Sequence, residues 1–222
     1  MIHRIIMRSI FLQNSKNLSN NITQQINDLQ QTAMKISAVE NKKKVMVYGD
    51  YDVDGTCAVS MFTIFLQKLN VQCVSYIPDR HEEGYGISIK GIKEAIRLKI
   101  DLIISLDCGI KDFKAADLAH SSDLKLIICD HHLPSYELPK AFSILNPKRN
   151  ECTYPNHNLS GCGVGFKLMQ AVVEKMDLDY EFLYSFLDFV SISIACDIVN
   201  VTGENRILAY FGLKQLEKTD HV

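Results

Sequence analysis

VMVYGDYDVDG, residues 45–55, sets a short apolar run directly before three aspartates at alternate positions, Asp50, Asp52 and Asp54. A run this short, apolar throughout rather than every second residue, reads as a strand covered on both faces, the kind found in parallel sheets. The same grammar repeats outward from it. VQCVSYI (71–77), LIISL (102–106), LKLIIC (124–129) and FSIL (142–145) are further apolar runs, and between them stand TCAVSMFTIFLQKL (56–69), SIKGIKEAIRLK (88–99) and DFKAADLAH (112–120), which carry helical spacing. Strands alternating with helices of this length imply right-handed βαβ crossovers. The segment 56–69 is apolar nearly all round and is therefore expected to be buried on two sides. The expected fold is α/β, a parallel sheet covered by helices on both faces, followed by a helical C-terminal segment.

After Asn146 the strand rhythm stops. A stretch with Pro147, Pro155 and several asparagines leads to SGCGVG (160–165) and then to helical text, expected as helices over 164–176, 180–195 and 204–217. Ahead of the core, Ile22, Ile26, Leu29, Ala33 and Ile36 recur at three- and four-residue steps and predict an amphipathic helix over about residues 21–40. The organisation read from these shifts is an N-terminal extension (1–44), an α/β core (45–150) and a helical part (151–222). Lys42, Lys43 and Lys44 read as a solvated end before the first strand.

Composition narrows the class of protein. Of 222 residues 47% are apolar, enough for a sizeable core, and the formal net charge of −2 removes any argument for nucleic-acid binding from overall basicity. Seven cysteines form no C-x-x-C pair and no zinc-binding spacing, and with no secretory signal in the text a reducing cytoplasm is the expected compartment. No apolar run approaches a membrane span. The N-terminal MIHRIIMRSIFLQN reads as a short terminal strand or frayed segment, with a transit-like segment the lesser alternative.

Chemistry enters at the strand ends. Asp50, Asp52 and Asp54 follow the first run, Asp107 follows LIISL, and Asp130 follows LKLIIC. In a parallel α/β sheet the carboxyl ends of the strands share one edge, where ligands of such folds bind. One aspartate after a strand is ordinarily a helix cap or turn residue. Several converging without basic partners repel one another unless a cation neutralises them. The Asp50–Asp54 alternation opens like an EF-hand loop, but no acid stands at its twelfth position, which excludes calcium of that type. Carboxylates joined by His131 and His132 suit Mn²⁺ or Mg²⁺, and paired ions suit in-line attack on a phosphate. Because successive side chains of extended backbone point to opposite sides, only one of the two histidines is expected to reach a given ion.

GDYDVDG (49–55), SLDCGI (105–110), ICDHH (128–132) and SGCGVGFK (160–167), in this order, resemble the successive motifs of the DHH phosphoesterase superfamily, and PDRHEEGYGIS (78–88), ICDHHLP and GENR (203–206) resemble its RecJ-type branch of 5′ to 3′ single-stranded-DNA exonucleases. The resemblance implies two Mn²⁺ or Mg²⁺ ions. It makes Asp52 a ligand of one, Asp54 and His131 ligands of the other, Asp107 the bridge, and Asp197, in the ACDIV text at 195–199, the last acidic ligand. The catalytic group it implies is Asp54, Asp107, His131 and His132, with His132 facing the scissile phosphate or supporting the ligands. Arg80 and Arg206 are candidate phosphate binders through their guanidinium groups, Tyr85 a candidate for stacking on a base, and the amides of Gly161, Gly163 and Gly165 candidates for approaching phosphate. Tyr48 stands where many members have a metal-binding histidine, with water or Asp50 left to complete that site.

The expected activity is metal-dependent phosphodiester hydrolysis, releasing mononucleotides from single-stranded DNA as substrate partner. The alternatives are a relative acting on short oligonucleotides or small nucleotides and a catalytically silent interaction domain. The connecting helix, glycine-rich second domain and OB-fold expected of the RecJ type have no counterpart in this text.

Overall fold

A computed structural model of the chain describes residues 43–219. The helix expected over 21–40 and the N-terminal segment lie outside these residues. Five strands, β1 (Val45–Gly49), β2 (Cys73–Tyr76), β3 (Leu102–Leu106), β4 (Lys125–Cys129) and β5 (Ser143–Leu145), form one sheet in the order β2-β1-β3-β4-β5, every pairing parallel. The seven helices among the described residues are α1 (Val53–Lys68), α2 (Ile89–Arg97), α3 (Phe113–Ser121), α4 (Gly161–Lys175), α5 (Tyr180–Tyr184), α6 (Leu187–Cys196) and α7 (Gly203–Leu216).

All of β1 and β3 is buried, as their unbroken apolar text demands. Side-chain alternation along β1 divides the core in two. Val45 and Val47 face one apolar cluster with α1, α4 and α6, whereas Met46 and Tyr48 face the other with α2 and α3. Helix α1 lies between the sheet and the later helices, contacting β1 and β2 on one side and α4 and α6 on the other, which is why it has so little polar surface. The C-terminal helices thus share the larger apolar cluster with the sheet.

Three helices depart most from the sequence reading. Helix α1 starts three residues early because Asp52 caps it, its Oδ1 accepting the Gly55 N–H at 2.9 Å. Helix α4 starts at Gly161 because Ser160 accepts the Gly163 N–H in the same way. The single helix expected over 180–195 is two, broken at Ser185–Phe186, where the fully buried Phe186 turns into an aromatic cluster with Phe65 and Phe182.

Candidate metal centre

The carboxyl ends of β1, β3 and β4 meet the N-terminus of α4 and the C-terminus of α6, and the acids collect there. Asp54, in the first turn of α1, is 2% exposed and held by three hydrogen bonds that leave one lone pair on Oδ2: its Oδ2 accepts the Gly161 N–H and its Oδ1 the Cys162 N–H, both at 2.7 Å, and Oδ1 also accepts the Ser193 hydroxyl at 2.7 Å. A carboxylate set on the first amides of a helix is favoured by the orphan N–H groups and the helix dipole. Asp107 ends β3 in the left-handed region, φ 63°, with its N–H donated to the Cys129 carbonyl. It is 1% exposed and its Oδ1 has no hydrogen-bond partner. Burial, then the nearby Asp54 and Asp52 carboxylates, push its pKa up to about 10. Burial likewise raises Asp50 and Asp197 above the ordinary carboxylate range.

His131 completes the cluster. A carbonyl can only accept, so the 2.9 Å contact from Nδ1 to the Leu159 oxygen puts the ring proton on Nδ1 and leaves the Nε2 lone pair facing the acids. Nε2 lies 3.1 Å from Asp107 Oδ1, 3.7 Å from an Asp197 oxygen and 3.8 Å from an Asp54 oxygen. Neither Nε2 nor Asp107 Oδ1 makes a hydrogen bond, although they nearly touch. Two lone pairs held this close in a buried site fit a cation: adjacent ligands at about 2.1 Å from an octahedral ion stand about 3 Å apart. Three sets of potential ligand atoms fall within 4.8 Å of one another, Asp54–His131–Asp197, Asp107–His131–His132 and Asp50–Asp52–Asp107, so the donor set fits divalent cations, and Asp107 and His131 each belong to two of the sets. Asp50 Oδ1 is a further buried acceptor without a partner.

Asp130 does different work. Its Oδ1 accepts the backbone N–H groups of His131 and His132 and contacts His132 Nδ1 at 2.8 Å, while Oδ2 accepts the Ile110 N–H. These bonds bend the chain so that the two imidazoles lie side by side, centroids 4.5 Å apart, rather than on opposite faces. The alternation expected of extended backbone therefore does not hold at this turn. His132 stands at the rim, its side chain 42% exposed and its pKa raised mainly by the Asp130 hydrogen bond.

The glycines also take a different role from the one expected. The Gly161 amide is given to Asp54 and the Gly163 amide to Ser160, and Gly165 packs on Leu106 and Met61 in the core, so none of the three presents its amide to a phosphate. What Gly161 supplies is proximity: a Cβ there would sit 2.4 Å from Asp107 Oδ1. Tyr48 is fully buried with its hydroxyl donating to the Gly86 carbonyl and accepting the Ser88 N–H, so it braces a loop. Tyr85, 52% exposed, places its hydroxyl 3.1 Å from the His132 ring and 3.2 Å from the Asp107 carbonyl. Arg80 is exposed with its guanidinium 5.3 Å from the Tyr51 ring centre. Arg206 is exposed on α7, where its buried neighbours Glu204 and Asn205 accept from or donate to Tyr154, Lys167, Asn156 and Asn158 and so fix the loop before α4.

Ser193, Ser160 and the Leu159 carbonyl were not foreseeable as site residues. Only the spacing of glycines at the start of α4 hinted that something approaches there closely. Among the described residues no helix is long and apolar enough to cross a membrane.

Known proteins share this sequence pattern and fold. A model of the DHH family, N-terminal domain, matches residues 44–194. The chain is 38% identical over 185 residues to the single-stranded-DNA-specific exonuclease RecJ of Bacillus subtilis, covering 83% of this chain and 23% of that one. It is 30% identical over 190 residues to the Escherichia coli exonuclease of the same name, covering 81% and 33%. Among solved structures, an exonuclease RecJ bound to manganese superposes with a TM-score of 0.79 at 26% identity, over 86% of this chain and 48% of that one. The RecJ of Thermus thermophilus in complex with Mn²⁺ shares the fold, with a TM-score of 0.75 at 23% identity over 87% and 28% of the two chains. The chain spans between 23% and 39% of the length of the curated relatives it matches.

Proposed function

The chain belongs to the DHH family, and from that premise we propose that it is a metal-dependent phosphodiesterase acting on single-stranded DNA, removing mononucleotides in the 5′ to 3′ direction. The observation that carries the reading is the pair of buried lone pairs on His131 Nε2 and Asp107 Oδ1, 3.1 Å apart and unbonded, inside a ring of carboxylates. The relatives are named as single-stranded-DNA-specific exonucleases, and two of the similar structures hold manganese, which supports both the substrate and the metal class.

Asp54, His131 and Asp197 would hold one Mn²⁺ or Mg²⁺, Asp50 and Asp52 a second, and Asp107 would serve both. When bound, such ions make water more acidic and neutralise charge developing on phosphate oxygens. The chain does the positioning. The Leu159 carbonyl keeps the proton of the neutral His131 ring on Nδ1, so that Nε2 is the nitrogen that presents a lone pair. The amides of Gly161 and Cys162 and the Ser193 hydroxyl hold the Asp54 carboxylate in one orientation. His132, its pKa raised mainly by the hydrogen bond to Asp130, stands at the rim, where its protonated form can donate a hydrogen bond to a phosphate oxygen. Tyr85 stands beside it as a candidate contact to a base, and Arg80, over the Tyr51 ring, as a candidate contact to phosphate.

Strands labelled at the 5′ or the 3′ end, incubated with Mn²⁺, test the proposal against the small-nucleotide and silent-domain alternatives. Release of the 5′ label as a mononucleotide, with gradual shortening of the 3′-labelled strand, is expected. Faster hydrolysis of a fluorescent dinucleotide than of a long strand would favour the small-oligonucleotide reading, and Mn²⁺ binding without any cleavage would overturn the enzymatic one.

A further inference from the structure

The segment Asp79–Ser88 leaves the sheet after β2 and touches the carboxylate cluster only at its tip, yet its backbone is pinned from beneath at three points. Glu83, whose side chain is 5% exposed, accepts from the Ser88 hydroxyl, from the Tyr76 hydroxyl at 2.8 Å and from the Asp79 N–H at 3.0 Å. Tyr48 spans Gly86 and Ser88 with its single hydroxyl. Asp112 stands at the N-cap of α3 but does not cap it, and its carboxylate instead accepts the Ile87 N–H at 2.6 Å. Gly86 is obligatory beneath it, with φ 85° and a hypothetical Cβ 2.6 Å from Asp112 Oδ2. At the outer end the Asp79 carboxylate accepts the His81 and Glu82 amides.

So much polar bracing exceeds what the sheet needs. Apart from Tyr76, every hydrogen-bond partner of Glu83 belongs to the loop itself. What the bracing fixes is the pair of residues that look toward the site, Tyr85 on His132 and Arg80 on Tyr51. Resting on the nuclease reading above, we propose that Glu83 is a positioning residue for that reaction: it locks the Asp79–Ser88 loop so that the Tyr85 and Arg80 rim is built before a strand arrives. A rim already ordered avoids the entropy of ordering it on binding, so the benefit falls on substrate affinity.

Hydrogen exchange and kinetics on the full chain test this with Glu83→Ala and Glu83→Gln. In Glu83→Ala, faster amide exchange confined to residues 79–88 is expected, with a rise in KM for single-stranded DNA of about tenfold and a change in kcat below about threefold. Glu83→Gln keeps an acceptor for Ser88 and Tyr76 but turns an amide toward the Asp79 N–H, so partial rescue of both readouts is expected. Unchanged exchange at 79–88, or a loss in kcat with KM unmoved, would overturn the proposal. If the wild-type chain cleaves no strand, the nuclease reading fails by itself, and the proposal is then decided on the exchange pattern and on strand binding by the metal-free chain. A normal exchange pattern or unaltered strand binding in Glu83→Ala overturns it there too.

Discussion

Gly161→Ala is the sharpest test of why glycine opens α4. The new Cβ would lie 2.4 Å from both the Cβ and Oδ1 of Asp107 and 2.6 Å from its Cγ, against 3.4–4 Å for ordinary contact, so something must move by about 1 Å. The helix cannot retreat cheaply, because the Gly161 and Cys162 amides hold Asp54. Asp107 therefore yields. Overpacking of this kind costs about 1–3 kcal/mol, offset by up to about 1 kcal/mol because alanine is the better helix former, so net destabilisation stays near 0–3 kcal/mol. Activity suffers more, since a misplacement of about 1 Å in a reacting group can cost on the order of 100-fold. Gly163→Ala is the control. Its Cβ meets nothing nearer than the Ser160 hydroxyl at 3.2 Å, so stability within about 1 kcal/mol of wild type and a nearly normal rate are expected. Thermal unfolding and initial rates of Mn²⁺-supported strand cleavage read both. A Gly161→Ala chain keeping more than about a third of the wild-type rate, or a Gly163→Ala chain losing as much as Gly161→Ala, would refute the close-packing argument and return the glycine amides to the role of a phosphate cradle.

Asp107→Asn should abolish metal-dependent hydrolysis yet raise the melting temperature of the chelator-treated chain: a carboxyl whose folded pKa is pushed to about 10 costs stability at every pH above its unfolded value, and asparagine tolerates the left-handed backbone there. A lower melting temperature would mean that the carboxylate is stabilising in its own right. Millimolar Mn²⁺ should raise the melting temperature of the wild type, by about 2.7 kcal/mol of added stability at 100 times the dissociation constant, and chelation should reverse it; no shift would tell against a metal centre. Glu83 is buried, which pushes its carboxyl up, but hydrogen bonds from Ser88, the Asp79 amide and Tyr76 and the charge of Lys90 outweigh this and hold it below the usual range. Its contribution is thus complete above the unfolded glutamate pKa of about 4.3 and vanishes as pH falls through the lower folded value, so acid unfolding should be shallower in Glu83→Gln than in wild type below about pH 4. Parallel acid titrations of the two proteins, followed by circular dichroism, would expose any error in that sign.

The sheet was legible because apolar runs such as LIISL leave no room for a half-exposed strand, and the site's edge because three of those runs end in aspartate. The aspartates at 54 and 107 and His131 could be placed together from that alone. Their individual environments could not. Asp54 is satisfied by Gly161, Cys162 and Ser193, residues more than a hundred positions away, and no local pattern records which carboxylate a distant amide will choose. The side-by-side histidines escaped for a related reason: Asp130 bends its own following backbone, a local side-chain bond that overrides the alternation of an extended chain. Asp50 shows the opposite limit, since its position at a strand end marked it as a candidate while its burial and its orphaned oxygen are visible only in the folded chain.

Asp54 also has a bearing on the order of events during synthesis. Its three hydrogen bonds bridge sequence gaps of 107, 108 and 139 residues, so a carboxylate that emerges early from the ribosome waits for α4 and α6 before it acquires any of these partners. Such long closures are entropically slow and come late in folding. A nascent chain that has made its sheet still presents loosely held acids rather than an ordered cluster. Order arrives only once α6 has emerged and docked, which leaves the acidic edge without its partners through most of the synthesis of the residues that build it.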